Sequence, residues 1–321
     1  MPELISFEHY LTILESPLMR EDRSVFARTP VLYVDWQDYR EIDPAITLPP
    51  CCVVAVGTRS DSSLADICLA TLDEFAGLEA NLKSQVHACT TLIQLLRHNE
   101  RSSIADGLFA ESLAYSTLQH SAGFQSWLEG PRRSSKPDTD PLVLTERDAN
   151  SLKLTLNRPQ AHNAYNMALK DALCEVLHAA SLDKEIDKLI LTGAGPSFCA
   201  GGDLSEFGLA EDAAVAHLSR TTRSAGALLA NLDCTTEAVV HGACIGAGIE
   251  IPAFADSISA NRDSYFQLPE ISMGLVPGAG GTVSITKKIG RQKTAYLAIS
   301  NLKLSAQDAL AWGLVDQLIE D

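Results

Sequence analysis

Apolar positions follow two different patterns along the 321-residue chain, and the pattern changes near residue 142. After that point, short apolar runs of strand length alternate with longer stretches that have helical periodicity. Such alternation is typical of a layered α/β core. The predicted strands are 142–145, 152–156, 188–192, 237–240, 257–260 and 265–267. The predicted helices are 166–180, 212–232, 245–254 and 281–319, the last broken near Gly290 and Gly313.

The first part of the chain has a mainly helical pattern. Its predicted strands are 31–36 and 52–56, and its predicted helical stretches are 64–98 and 104–128. The segment 130–141 is polar, contains three prolines and lacks apolar periodicity, so it is typical of a linker. We therefore predict an N-terminal, α-rich domain over residues 1–137 and a separate core over residues 138–321.

Composition and charge exclude several classes of protein. The chain is 46% hydrophobic, which is ample for a large core. It has no apolar run of about eighteen residues and no basic segment leading into an apolar one at its start, so we predict a cytoplasmic protein that does not span a membrane. The net charge of −16 argues against nucleic-acid binding. The eight cysteines show neither a C-x-x-C pair nor a zinc spacing, so we expect reduced thiols and no metal.

Two glutamates, Glu250 and Glu270, stand in short segments marked by glycine and proline. Paired carboxylates can move protons to and from one water molecule. Glycine-containing turns accompany them at 198–203 (FCAGGD), 241–248 (HGACIGAG) and 276–282 (VPGAGGT). Backbone N–H groups at such turns and at helix starts can hold an oxyanion. Together these features favour chemistry on a carbonyl compound through an enolate-like intermediate.

These segments, in this order over residues 143–315, resemble the crotonase (enoyl-CoA hydratase/isomerase) superfamily. The resemblance implies an α/β fold, a crotonase-type ββα spiral core, to which this chain adds an N-terminal, largely helical domain. It also implies an acyl-CoA substrate, no cofactor other than the CoA of that substrate, and a homotrimer or hexamer. Because both glutamates are present, hydration of a 2-enoyl-CoA to the 3-hydroxyacyl-CoA is the leading reaction.

The resemblance also implies roles for individual residues. Gly202 and Ala247 match the two backbone donors of the family's oxyanion hole, although glycine is more usual at the second position. The Ala247 methyl group is expected to narrow the pocket while its N–H is retained. Glu250 and Glu270 match the two glutamates that bind water in hydratases. One is expected to act as base on the water, while the other orients it and shuttles the proton of the α-carbon.

Further positions match the family's contacts with CoA and the acyl chain. The segment 157–166 corresponds to the first CoA-binding turn. Leu204 is expected to cover the adenine, and the loop 277–282 is expected to line the acyl pocket. Arg132 and Arg133 are candidates for a contact with the 3′-phosphate if the N-terminal region takes part in the site, and otherwise they are charges of the linker. The predicted substrate-binding residues are Ala164, Ala200, Asp203, Leu204, Pro277 and Gly278.

A helical module usually follows the equivalent of Val315 in this superfamily, where it builds the trimer and helps to close the acyl-CoA site. The present sequence ends at Asp321, and its segment 91–133 is similar to that module, notably at 104–112 and 124–129. The N-terminal region is therefore expected to replace the module, as in a circular permutation. An unrelated helical regulatory or docking domain is the alternative.

Each motif also has a purely structural interpretation. The turn at 200–203 can be an ordinary strand-to-helix turn with Asp203 as a cap, Glu250 can form a buried salt bridge, and Glu270 can start a short helix. Other reactions on the same scaffold are enoyl-CoA isomerisation and hydrolysis of an acyl-CoA or a C–C bond. A non-catalytic module that binds acyl thioesters is an alternative of a different class, and the alanine at position 247 motivates it.

Overall fold

The computed structural model of the protein describes residues 3–40, 46–58, 62–131, 134, 136–138, 140–210 and 212–320. Arg132 and Arg133, the candidates for a phosphate contact, lie outside the described residues. Within the described ranges, no helix has both the length and the hydropathy needed to cross a membrane.

The N-terminal region contains a small parallel sheet as well as helices. Its described strands are β1 (Leu4–Ile5), β2 (Val31–Asp35), β3 (Cys52–Val56) and β4 (Ile67–Leu69), which lie side by side in this order. Its described helices are α1 (Phe7–Glu15), α2 (Met19–Asp22), α3 (Ala76–Ser84), α4 (Val86–Asn99), α5 (Ile104–Leu118) and α6 (Ala122–Leu128). The strands predicted at 31–36 and 52–56 are confirmed.

The helical stretch predicted over 64–98 is wrong in its first part. Residues Ile67–Leu69 form β4, which pairs in parallel with β3. A short apolar run fits either a strand or a buried helix. Pairing with β3 decides between them here, because it satisfies backbone N–H and C=O groups that would otherwise be buried without partners. The helical part begins only after a 3-10 turn at Leu72–Phe75 and is divided into α3 and α4.

Strand β3 has an apolar core on each of its two faces, because successive side chains of a strand point in opposite directions. Val53 packs in a small cluster that contains Phe7 of α1. Val54 belongs to the large cluster, which extends through the second half of the chain to Val315. The N-terminal sheet therefore shares one apolar core with the rest of the protein.

A sheet of six described strands forms the centre of the second half. The strands of this half are β5 (Val143–Asp148), β6 (Ser151–Leu156), β7 (Lys188–Gly193), β8 (Thr235–Val240), β9 (Ala243–Ile245), β10 (Ser257–Asn261), β11 (Tyr265–Gln267), β12 (Leu304–Ser305) and β13 (Gln317–Ile319). The order in the large sheet is β13-β10-β8-β7-β6-β5, and β12-β11-β9 form a small second sheet. The hairpin β5–β6 is antiparallel, and the other pairs of the large sheet are parallel.

The helical stretch predicted over 281–319 is wrong at β12 and β13, which are strands because they pair with β11 and β10. Helices cover the large sheet. They are α7 (Met167–Leu182), α8 (Ala213–Thr222), α9 (Ala225–Ala230), α10 (Ala247–Glu250), α11 (Gly281–Ser300) and α12 (Ala306–Trp312). The single helix predicted over 212–232 is two helices, because Ser224 is extended and caps α9 by accepting a hydrogen bond from Ala227 N. The predicted break at Gly290 is confirmed as a kink inside α11, where this glycine has φ 81°.

The buried helix predicted over 245–254 is much shorter in the structure. Residues up to Ile245 belong to β9, and Gly246 then turns the chain with φ 49° and ψ −120°. Helix α10 is one turn long, and a 3-10 turn follows at Pro252–Phe254. The backbone changes course at these two residues because the left-handed region favours glycine and because proline has no N–H to continue a helix.

Helix α11 connects the second half of the chain to the N-terminal region. It packs against α4 and α5. Its Arg291 is 3% exposed and donates from Nη1 to Asp66 Oδ1 (3.0 Å) and to Ala65 O (2.7 Å). Arg97 of α4 binds the same aspartate, from Nε to Oδ1 at 2.8 Å. A buried ion cluster thus accompanies the shared apolar core where the two regions meet.

Candidate active site

A cavity of about 420 Å³ lies between α5 and the glycine-containing turns of the second half. Its volume is typical of a site for a small molecule. Of the residues predicted from the sequence, those that line this cavity are Gly202, Ala247, Glu250, Glu270 and Gly278. The predicted residues that do not line it are Ala164, Ala200, Asp203, Leu204 and Pro277. The structure therefore brings both predicted donors and both glutamates to one place.

Backbone hydrogen bonds hold the two predicted oxyanion donors on one wall of the cavity. Cys199 N donates to Ala243 O (3.1 Å), and Ile245 N donates to Cys199 O (3.0 Å). The two segments therefore run side by side up to the turns that follow them. These turns carry Gly202 and Ala247, whose positions are fixed by the strand pairing rather than by side-chain contacts.

Both donor N–H groups are available to a ligand. Asp203 N donates to Tyr165 O (3.1 Å), and Tyr165 N donates to Gly201 O (2.7 Å). These bonds lie along the edge of the segment that faces Tyr165, whereas the N–H of Gly202 points to the opposite edge. The N–H of Ala247 is the first in α10, where a helix supplies no internal acceptor. Among the described residues, neither N–H has a hydrogen-bond acceptor.

Glu250 ends the single turn of α10 and is 2% exposed. Its Oε2 accepts hydrogen bonds from Ala279 N (2.7 Å) and Gly281 N (2.9 Å) at the start of α11. Burial raises the pKa of Glu250, and these two hydrogen bonds only partly oppose the increase. The side chain is therefore a carboxyl group with an increased affinity for protons, held in place by two backbone donors.

Glu270 begins a short 3-10 helix and is 9% exposed. Its Oε2 has no hydrogen-bond partner in the part of the chain that the structure describes. Burial, and then the charge of Glu250, raises the pKa of Glu270 well above its ordinary value. A buried carboxyl oxygen without a protein partner is costly in a purely structural role, so this atom is available to a substrate or to water.

Gly246 marks the point where the two glutamates meet. A Cβ atom built on this glycine would collide with Glu270 Oε1 and would lie 3.7 Å from Glu250 Oε1. Its φ of 49° is also unfavourable for other residues. The carboxylates of Glu250 and Glu270 therefore face one corner of the cavity, and glycine leaves this corner open.

Glu111 on α5 is a third buried carboxylate in the cavity, and it is not among the residues predicted from the sequence. It is 2% exposed. Its Oε1 accepts from Gly280 N (2.7 Å), while Oε2 accepts from Thr282 N (2.9 Å) and Thr282 Oγ1 (2.6 Å). Burial, followed by the charge of Glu250, raises the pKa of Glu111. The described side chains nevertheless form no group of three or more His, Cys, Asp or Glu that could hold a metal ion.

A weak signal for Glu111 exists in the sequence. Gly107, Glu111 and Leu118 are buried on one stripe of α5, at spacings of four and seven residues, which places them on the same helix face. A glutamate on the inward stripe of a helix needs a partner. The pattern could have identified the residue as unusual, but it contains nothing that points to the start of α11.

Cations also contribute to the cavity wall. The guanidinium of Arg220 lies 4.7 Å from the ring centroid of Tyr115 and donates to Ser112 Oγ (3.3 Å). Burial lowers the pKa of Arg220. Arg223, by contrast, pairs with Asp171 at 3.3 Å. The Tyr115 ring, Ser112 and Ser116 thus stabilise Arg220 where α5 and α8 pack against each other.

Asp203 has a structural contact instead of a place on the cavity wall. Its Oδ2 accepts from Arg158 Nη1 (2.7 Å) and its Oδ1 from Ser205 Oγ (2.7 Å). Burial alone would raise the pKa of Asp203, but these hydrogen bonds outweigh it and hold the pKa below its ordinary value. Arg158 is 1% exposed and also donates to Ala164 O (3.0 Å) and pairs with Asp138. This ion cluster fixes the backbone around two of the predicted substrate-binding residues.

The sequence of the chain is similar to known proteins over its second half. A protein-family model described as enoyl-CoA hydratase/isomerase matches residues 146–321. The 2,3-dehydroadipyl-CoA hydratase of Escherichia coli (strain K12) is 36% identical over 176 residues, which are 55% of this chain and 68% of that protein. The 1,2-epoxyphenylacetyl-CoA isomerase of the same strain is 33% identical over 184 residues, covering 56% and 70%.

Solved structures lead to the same family. The enoyl-CoA hydratase from Thermoplasma volcanium GSS1 is 34% identical, with a TM-score of 0.52 over 56% of this chain and 72% of that one. Because the family model covers more than half of the chain, the protein belongs to the enoyl-CoA hydratase/isomerase family of the crotonase superfamily. The predicted resemblance and the crotonase-type α/β fold are confirmed.

Proposed function

We propose that this protein adds water to the double bond of a 2-enoyl-CoA and forms the 3-hydroxyacyl-CoA. The observation that carries the proposal is the meeting of Glu250 and Glu270 at Gly246, in the cavity whose wall includes Gly202 and Ala247. Membership of the family and the hydratases among its relatives support this assignment. The substrate is a CoA thioester, so CoA enters as part of the substrate.

The two backbone donors stabilise the charge that develops on the thioester oxygen. The N–H groups of Gly202 and Ala247 have no acceptor among the described residues and lie on the same wall. Loss of one such donor typically costs about 3 kcal/mol in the barrier. A thioester suits this site better than a free acid, because a carboxylate is already anionic beside the carbon at which an enolate would have to form.

The two carboxylates have different surroundings, and we assign them different tasks. Glu250 is held by two amide donors through Oε2, so its Oε1 is the atom that orients the water. Glu270, with Oε2 unpartnered among the described residues, is the proton carrier. The water oxygen bonds to C3 while the π electrons of the double bond move to the thioester oxygen. Glu270 gives the proton that it holds to C2 and regains one from the added water. The thioester carbonyl then re-forms, and the product is substrate plus one water.

An isotope experiment tests the proposal. The protein is incubated with crotonyl-CoA and a longer 2-enoyl-CoA in H₂¹⁸O, and the products are analysed by mass spectrometry. We expect the label in a new 3-hydroxyl group, and we expect its loss in Glu250→Gln and Glu270→Gln. Glu185→Gln, a change of the same type at a side chain that is 86% exposed, is the control and should retain the reaction. Unlabelled, unchanged substrate with the native protein would contradict hydration.

An enoyl-CoA isomerase is the second candidate, because one carboxyl with a free oxygen is enough to move a proton between two carbons. A 3-enoyl-CoA in H₂¹⁸O separates the two reactions: isomerisation gives the 2-enoyl-CoA without label. A binding module is the remaining alternative. It would be supported if the native protein converts neither substrate while Glu250→Gln and Glu270→Gln bind acyl-CoA as tightly as the native protein does.

We also propose that the N-terminal region takes the place of the helical module that the resemblance implies after the equivalent of Val315. The support is that α5 lines the cavity and that α4 and α5 pack against α11. Deletion of residues 1–137 tests this assignment. We expect the truncated protein to lose both assembly and activity, whereas a fully assembled and active product would overturn it.

A further inference from the structure

The start of α11 presents four consecutive backbone N–H groups to the cavity, and two carboxylates share them alternately. Glu250 accepts from Ala279 and Gly281. Glu111 accepts from Gly280 and Thr282, the two residues between and after them. A helix start favours a nearby negative charge because its N–H groups have no internal acceptor. Here this favourable position is divided between one residue of the second half and one of the N-terminal region.

This arrangement couples the charges of the two side chains. Glu111 and Glu250 are each 2% exposed, so solvent screens their repulsion little. Burial raises the pKa of both carboxyl groups. The three hydrogen bonds that Glu111 accepts oppose this rise for Glu111, and the two that Glu250 accepts oppose it for Glu250. The repulsion acts on both members of such a pair, and their protons are released in steps that belong to the pair.

We propose that Glu111 is a positioning residue of the active site, which holds the start of α11 and whose charge sets the proton affinity of Glu250. The inference rests on the proposed function, because it gives the N-terminal region a part in the reaction of that same site. Other titratable or charged groups line the same cavity, namely Glu270 on its 3-10 turn, Tyr115 on α5, Lys170 on α7, Arg220 on α8, Tyr165 and Arg223. The charge of Glu250 also acts on buried Cys199.

The variant Glu111→Gln keeps the size of the side chain and removes its charge. We expect the acid limb of the pH profile of kcat/KM for crotonyl-CoA hydration to move to lower pH by roughly one pH unit, because Glu250 loses an anionic neighbour. Asp106→Asn is the matched control, since Asp106 is exposed on the same helix, and it should leave the profile unchanged. If Glu111→Gln melts at the native temperature and keeps the native profile, the residue is only structural and the proposal is wrong.

A second readout does not depend on turnover. Titration of ¹³C-labelled glutamate carboxyls by NMR, with Glu250 assigned through Glu250→Gln, should show that the midpoint of Glu250 falls in Glu111→Gln. An unchanged Glu250 titration would overturn the proposal even in an active enzyme. If the native protein shows no hydration, the proposed function fails, and the NMR titration still decides whether the two carboxylates are coupled.

Thr282→Val covers the case in which Glu111→Gln does not fold. This change removes the hydroxyl that donates to Glu111 Oε2 and leaves both carboxylates and the backbone donors in place. Loss of a donor destabilises the charged form of Glu111, so its NMR midpoint should rise. Because Glu111 is then neutral over a wider pH range and repels Glu250 less, the midpoint of Glu250 should fall. If only Glu111 shifts, the two groups are independent and the proposal is overturned.

Discussion

Glu250 and Glu111 are bound by the same turn of α11, yet the two regions that supply them differ in almost every other respect. Glu250 stands in a glycine-rich segment within residues 146–321, the range that the family model matches. Glu111 stands in the middle of a regular α-helix of the N-terminal region. Segments with unusual backbone geometry leave a mark in the sequence because glycine is needed there. A charged side chain on an ordinary helix has no comparable sequence pattern around it, even where its contribution to the electrostatics of a site is large.

The largest expected difference between the two regions is in turnover. Glu270→Gln removes the proposed proton carrier, and general acid–base catalysis typically contributes 10²- to 10⁴-fold. We therefore expect kcat to fall by about that factor with little change in acyl-CoA binding. Glu111→Gln should retain far more activity, since this residue acts only through Glu250. Steady-state kinetics on the two variants in parallel measures the difference, and equal losses would mean that the proposed division of roles is wrong.

The next expected effect concerns the contact between the regions. Arg291 of α11 is buried against Asp66 of the N-terminal region, whereas Arg158 forms a buried cluster with Asp203 inside the second half. Breaking a buried pair typically costs roughly 3–5 kcal/mol. We expect Arg291→Met to lower the free energy of unfolding by about 3 kcal/mol, and Arg158→Met by a similar amount, in denaturant titrations. Lys287→Met, on the exposed face of α11, is the control.

The shape of the unfolding transition sharpens this test. Because one apolar cluster extends from β3 to Val315, we expect a single cooperative transition for the native protein and for both variants. A second transition that appears in Arg291→Met alone would show that the two regions unfold independently, in spite of their shared core.

A smaller effect is expected in the pH dependence of stability. The pKa of Glu270 in the folded protein lies well above its ordinary value because of burial and the charge of Glu250. As pH rises from that ordinary value to the folded pKa, the unfolded chain releases this proton and the folded protein keeps it, so stability is lost. The loss has a slope of up to about 1.4 kcal/mol per pH unit.

The variant Glu270→Gln removes this loss of stability. Its unfolding free energy, compared with that of the native protein, should increase between mildly acidic and neutral pH. Chemical denaturation at several pH values measures the difference. A difference that is constant with pH would show that Glu270 titrates alike in the folded and unfolded chain, and its raised pKa would then be excluded.

The sequence was sufficient for the fold class and for the components that depend on backbone geometry. Glu250 and Glu270 stand out in their glycine- and proline-marked segments, and the resemblance implies Gly202 and Ala247 as donors. All four residues line one cavity in the structure. The points at which individual helices begin and end were harder to predict from the sequence. The stretch 212–232 has continuous helical character in the sequence, yet Ser224 caps a second helix inside it. This division depends on the packing of α9, which the local sequence does not determine.

Tertiary contacts account for what the sequence could not show. β4 lies in a stretch predicted as helix and is a strand because β3 pairs with it. Glu111 belongs to the site because α5 packs against α11, and the N–H groups of Gly280 and Thr282 become its partners only in that packing. Residues distant in sequence meet there, and no local pattern encodes their partners.

The smallest expected effect concerns substrate choice at Ala247. This residue is 6% exposed, and its methyl group stands at the cavity wall beside the N–H that is proposed to bind the thioester oxygen. Ala247→Gly retains the N–H and removes the methyl group, and one such group in a pocket is worth about 1 kcal/mol. We expect kcat/KM to rise a few-fold for 2-enoyl-CoAs branched near the double bond, and to change little for crotonyl-CoA. Competition between the two substrates in one reaction measures the ratio, and an unchanged ratio would mean that the methyl group does not shape the acyl pocket.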